Sequence, residues 1–190
     1  MDGGYCAQRK RKSCSIICPR FDNESSFEKR EGINIYRYSP PLPAKGILSY
    51  LFEFIYCFIM TFILSIWVFL RHGFDVIQAS NPPDTLFIIG LFYKVFGKKF
   101  YFDHQDLCPE IYLSKYGEDR KGLLYKILVV LEYFTYRTAD KVMALNNSYR
   151  EIAISRGKVM PDKVFVMRFA PDLKIFKRVP EDLDLKQGKR

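Results

Sequence analysis

Residues 97–110 read GKKFYFDHQDLCPE, and this stretch decides the fold class. Gly97 closes what precedes it, and Lys99 to Phe102 form a short run rich in aromatics, suited to a strand. Asp103-His104-Gln105-Asp106 then break into a polar loop, and Pro109 with Glu110 opens a helical pattern, since proline is tolerated in a first turn and an acid there suits the helix dipole. A buried strand that ends in a polar loop and feeds a helix is the repeating unit of a parallel α/β sheet.

The same unit recurs outward in both directions. Strands are expected at Ser15 to Cys18, Ile33 to Tyr38, Asp75 to Ala79, Lys99 to Phe102, Lys141 to Ala144 and Lys163 to Met167. Most are largely apolar, as strands covered on both faces should be. Helices are expected at 46–71, 84–96, 109–116, 122–137 and 147–156, the lengths that parallel crossovers need. Asp84, after Pro82 and Pro83, is the expected cap of the second helix and Gly97 its end; Asn146 or Asn147 is the expected cap of the last, which ends near Gly157. Residues 1–12 read as a polar, mobile tail, 13–178 as one Rossmann-like domain, and 179–190 as a tail or the start of an interdomain linker.

Composition narrows the function classes. With 48% apolar and 16% aromatic residues among 190, the chain has too much buriable surface to stay disordered. The net charge of +9 favours anionic partners. Beyond Arg9 to Lys12 the basic residues are spread along the chain, and no nucleic-acid motif accompanies them, so no nucleic-acid partner is expected. Cys6, Cys14, Cys18, Cys57 and Cys108 show no Cys-x-x-Cys spacing, which argues against a zinc site and for a reducing compartment. No export signal is read at the N-terminus, because the apolar run after Lys12 is too short.

Phe52 to Leu70 leaves alternatives open. Nineteen residues at about 1.5 Å each nearly cross a hydrocarbon layer of about 30 Å. Glu53, Thr61 and Ser65 interrupt the run, and a true span would put the first strands across the bilayer from the rest. The segment is therefore a crossover helix buried in its domain, a helix with its outer face on lipid or a partner, or a span at 52–70. Lys45, Arg71 and His72 bracket it, as suits an anionic membrane surface.

Ligands of open α/β sheets sit at the carboxyl ends of strands, which selects three loops: Ser80-Asn81-Pro82-Pro83-Asp84, the run Asp103 to Glu110, and Arg168-Phe169-Ala170-Pro171-Asp172. Read together in order with Cys18-Pro19-Arg20, Glu132, Arg137-Thr138-Ala139-Asp140 and Ala144 to Ser148, these segments resemble the N-terminal, acceptor-side half of a family 4 glycosyltransferase of the two-domain GT-B fold. The likeness covers about 14–178. It implies metal-independent transfer of a sugar from a nucleotide-sugar donor to a lipid-linked or saccharide acceptor, in polysaccharide or glycolipid biosynthesis.

On that resemblance His104, Asp103 and Asp106 are the candidate catalytic residues, and Asn81, Asp84, Gln105 and Arg168 the candidate acceptor-binding ones. No metal or cofactor is expected in this chain. The implied setting is cytoplasmic, peripheral on the inner face of the cell membrane. The resemblance also implies a truncated form, lacking the family's first strand and its C-terminal donor-binding domain, and so inactive by itself. Related members read Asp-His-His-Asp where this chain reads Asp103-His104-Gln105-Asp106; Gln105 exchanges hydrogen bonds but does not titrate. Two other readings stay open: a non-catalytic membrane-associated module that pairs with a separate donor-domain chain, and a protein anchored by a span.

Overall fold

The structure, a computed structural model, describes residues 13–21, 23–41, 47–117, 119 and 121–168. The expectations for Arg9 to Lys12, Lys45, Phe169 to Asp172 and both tails lie outside these residues. The chain divides into two compact units, one comprising residues up to Ile77 with Thr85–Phe100, the other Gln78–Asp84 with the chain from Tyr101.

In the first unit, β1 (Cys14–Pro19) runs parallel to β3 (Ile33–Tyr38), with Cys14 opposite Ile33 and Pro19 opposite Tyr38. β2 (Phe27–Arg30), which was not expected, pairs antiparallel with β3 on its other side. Its turn, Glu31-Gly32, has φ of 51° and 85°, the two-residue hairpin geometry whose twist matches the strands. β2 escaped notice because three of its four residues are charged, the mark of an edge strand protected from further pairing.

α1 (Ile47–His72) packs on β1 and β3, and α2 (Phe87–Lys94) packs beside α1. Tyr93 on α2 is fully buried. Its hydroxyl meets Ser65 Oγ at 2.8 Å, and the rings of Phe69 and Phe74 lie edge-on to it at 5.3 and 4.9 Å. The polar tip is thus satisfied inside an aromatic core. Only 11% of the apolar stretch Phe52–His72 is buried, so α1 is not the buried crossover helix that was one of the three readings. His72 lies at its exposed end with Nε2 2.7 Å from the Tyr36 hydroxyl.

Four strands make an all-parallel sheet in the order β4 (Val76–Ser80), β5 (Lys99–His104), β6 (Lys141–Ala144), β7 (Val164–Val166), flanked by helices. The fold class is therefore α/β, compatible with a Rossmann-like arrangement. The six expected strands do not form one sheet: β1 and β3 belong to the separate three-stranded sheet, which β2 makes mixed.

The second unit adds α3 (Cys108–Tyr116), α4 (Leu123–Thr138) and α5 (Asn147–Ser155). Asn146 caps α5 by accepting from the Tyr149 backbone N–H at 3.0 Å. Asp84 does not cap α2. A 3-10 turn, Asp84–Leu86, precedes that helix, and the Asp84 carboxyl is engaged elsewhere. Gly157 ends the α5 region for reasons of space: a Cβ there would stand 2.4 Å from the Tyr136 ring. Cys14, Cys18, Cys57 and Cys108 are free thiols.

Candidate active site at the ends of β4 and β5

Neighbouring parallel strands deliver their following loops to the same sheet edge. The loop after β4 begins with Asn81, and both Asn81-Pro82 and Pro82-Pro83 peptide bonds are cis. The loop after β5 runs from Gln105 to Leu107 into α3. Asn81, only 4% exposed, joins them. Its Nδ2 donates to Asp84 Oδ1 at 3.0 Å and to the Asp106 carbonyl at 2.6 Å. Its Oδ1 accepts from the backbone N–H groups of Gln105 and Asp106 at 2.8 and 3.1 Å. An asparagine serves here because only an amide supplies donors and an acceptor on one short side chain.

Asp103 is the second organising group. Ser80 Oγ donates to its Oδ2 at 2.8 Å and Gln105 Nε2 to its Oδ1 at 2.6 Å. The Asn81 backbone N–H donates to its carbonyl at 3.3 Å. Asp84 is buried, which pushes its carboxyl upward against the opposing hydrogen bonds from the Cys108 thiol and Asn81. Its carbonyl accepts from Thr135 Oγ1 at 2.7 Å, tying the loop to α4.

His104 occupies a different environment from its neighbours. It has no exposed surface. Its Nδ1 is 3.1 Å from the Tyr136 hydroxyl, Phe102 stacks at 5.4 Å, and the Tyr149 ring centre lies at 4.9 Å. Burial lowers its pKa to about 4, and the nearby Arg156 charge adds to the effect, so the imidazole is neutral at pH 7. The structure therefore sets His104 beneath the rim, while Gln105 and Asp106 are half-exposed.

Asn81, Asp84, Asp103, Gln105 and Asp106 thus converge, with His104 behind them. Arg168 stands apart, exposed just past β7, two strands over from β5 at the same sheet edge. Among the described residues no group of three His, Cys, Asp or Glu side chains is placed to hold a metal ion.

A network that sequence reasoning missed supports the cluster. Arg156, at the end of α5, donates through Nη1 and Nη2 to the Glu110 carboxylate on α3, and through Nη2 to Glu132 Oε1 on α4 at 2.7 Å. Its Nε lies 2.6 Å from Glu132 Oε2. Glu132 is 1% exposed, and burial pushes its carboxyl up to about 7 against the pull of Arg156. The guanidinium, whose charge burial disfavours, is held above its ordinary range by its hydrogen bonds to Glu110 and Glu132. In the sequence Glu110 reads as a helix N-terminal charge and Glu132 as one of the residues carrying the resemblance, and no local pattern marks Arg156 as their partner. Tyr136 and Tyr149, which enclose His104, were likewise invisible as site residues.

No protein-family model matches the sequence, and no curated protein matches it significantly.

Proposed function

We propose that this chain is an acceptor-side glycosyltransferase domain, similar to the N-terminal half of a family 4 enzyme. It works at the cytoplasmic face of a membrane together with a donor-binding domain that supplies the nucleotide-sugar. The observation that carries the reading is the Asn81 clasp, which turns two strand-end loops into one rigid rim of carboxylates and amides at the ligand edge of a parallel sheet. Such groups suit sugar hydroxyls, which both donate and accept. Asp103, itself buried, is held by Ser80 and positions Gln105, which with Asp106 is the side of the rim that meets the acceptor. His104 acts as a neutral positioning residue beneath β5's end.

The test is transfer of radiolabelled sugar from a panel of UDP- and GDP-sugars to a polyprenyl-linked saccharide, by the chain alone and mixed with or fused to a family 4 donor-binding domain. Transfer is expected only with the donor domain, and Gln105→Ala should reduce it about tenfold or more by removing the Asp103 contact and a rim group. Absence of transfer together with absence of acceptor binding in every combination would overturn the proposal.

A further inference from the structure

Apolar side chains line the outer surface of α1 at helical spacing: Ile59, Ile63, Trp67 and Leu70 are 48 to 77% exposed. Ile88 and Leu91 on α2 and Val95 at its C-cap repeat the pattern, the last 82% exposed. The two stripes are joined by ring contacts, Phe62 to Phe92 at 5.1 Å and Phe69 to Phe96 at 5.7 Å. Those pairings also show that the helices run in the same direction, so both C-terminal turns lie at one end of the apolar surface. An exposed apolar surface spanning two helices marks a docking face.

Charge identifies the occupant. From Phe54 to Leu70 no Asp, Glu, Lys or Arg occurs, and α2 holds no acid. At the shared C-terminal end stand Arg71, Lys98 and Lys99, with Asp75 paired to Lys98 at 3.6 Å. Arg71 lies over the Trp67 ring at 5.9 Å, and Lys98 over Phe69 at 5.7 Å. An uncharged face edged by cations and by an aromatic–guanidinium pair is the chemistry of a helix lying in an anionic lipid interface.

We propose that the outer face of α1 and α2 inserts into the headgroup and upper acyl region of an anionic bilayer, with the basic end on lipid phosphates. α1 lies on the membrane and does not span it, because its other side is committed to protein: Ser65 and Val68 are buried, and Phe69 packs on Phe74 and Tyr93. This inference deepens the membrane part of the proposed function by naming the face and the lipid chemistry, and it is tested without glycosyl transfer.

Trp67 is the only tryptophan in the chain and sits on the proposed face, so it reports directly. The purified full chain is mixed with vesicles of phosphatidylcholine containing about 30% phosphatidylglycerol, enough for a strongly negative surface, and with vesicles of phosphatidylcholine alone. Expected are a blue shift of Trp67 emission, quenching by lipids brominated in the upper acyl chain, and weaker binding to the neutral vesicles. Leu91→Asp with Val95→Asp, both exposed, one on α2 and one at its C-cap, should weaken binding about tenfold or more with far-UV circular dichroism unchanged. Lys99→Gln, which leaves the apolar face intact, should weaken binding to the anionic vesicles alone. The proposal is overturned if Trp67 is not quenched, or if the folded double variant binds as tightly. It is equally overturned if alkaline carbonate fails to release the protein, which indicates a span, or if a vesicle-free dimer that Leu91→Asp dissociates buries Trp67.

Discussion

Asn81 and Asp106 exchange two hydrogen bonds, side-chain amide to carbonyl at 2.6 Å and backbone N–H to side-chain oxygen at 3.1 Å. The asparagine thereby imitates a strand partner for a loop that has none. Removing it leaves buried backbone groups without partners, at about 1–3 kcal/mol for each unsatisfied group. Asn81→Ala should lower unfolding free energy by about 2–4 kcal/mol on that basis. Asn81→Asp should cost more, because it sets a carboxylate against Asp84 and the Asp106 carbonyl. Urea titration of the three proteins checks both the size and the order.

Two glycines owe their identity to close packing. A Cβ on Gly90 would meet the Phe100 ring at 2.5 Å, and one on Gly157 the Tyr136 ring at 2.4 Å, whereas one on Gly122 meets nothing within 4 Å. Gly90→Ala and Gly157→Ala should each destabilise by about 1–3 kcal/mol through forced displacement. Gly122→Ala should stay within about 0.5 kcal/mol of the parent. Thermal midpoints of the three variants would show it, and equal shifts at all three positions would contradict the packing argument.

The Arg156 fork makes a coupled prediction. Arg156→Met strands Glu132 in the interior without its partner, and breaking a buried pair costs about 3–5 kcal/mol. Adding Glu132→Leu removes the stranded carboxyl, so the double variant should recover much of the loss. A double-mutant cycle by chemical denaturation measures the coupling; additive losses would mean that the two side chains do not depend on each other.

His104 and Glu132 tilt the pH dependence in opposite senses. Folded His104 stays neutral down to about 4 while the unfolded residue takes a proton near 6.5. The unfolded state then binds more protons in that window, and this contribution to stability is lost as pH falls through it. Glu132 holds its proton up to about 7 when folded but loses it near 4.5 when unfolded, so its contribution is lost as pH rises from 4.5 to 7. In wild type the two slopes oppose each other between about pH 4.5 and 6.5. His104→Gln should leave stability falling with pH across this window, and Glu132→Gln should leave it rising. Urea midpoints at closely spaced pH values distinguish the two, and unchanged slopes in both variants would remove these groups from the account.

Much of the scaffold was legible because it rests on local chemistry. Apolar runs closed by Gly, Asp or Asn located β3, β5 and β6 to within a residue or two, and the Asn146-Asn147 pair marked the cap of α5 by residue type. Which of Asn146 and Asn147 would be that cap was left open, and the structure selects Asn146. The charged β2 gave no periodic signal, and its turn lacks the Asn-Gly pair that advertises a hairpin. Asp84 looked like a cap because caps are read from the nearest helix, yet its carboxyl answers to Asn81.

The candidate site divides along the same line. Asn81, Asp84, Asp103, Gln105 and Asp106 were visible in the sequence because the ends of parallel strands are where polar loops gather, and strand ends follow from hydrophobic patterning. Which of them would reach solvent was not visible. His104 lies one residue from Gln105, but it faces Tyr136 and Tyr149, side chains 32 and 45 positions later on separate helices, and so becomes a neutral buried group. Patterning along the chain determined which segments become strands and helices and where polar groups collect, since those are questions of near neighbours and period. Tertiary structure alone decided burial and partnership, and with them charge state, because desolvation and pairing depend on what distant segments bring to within a few ångströms.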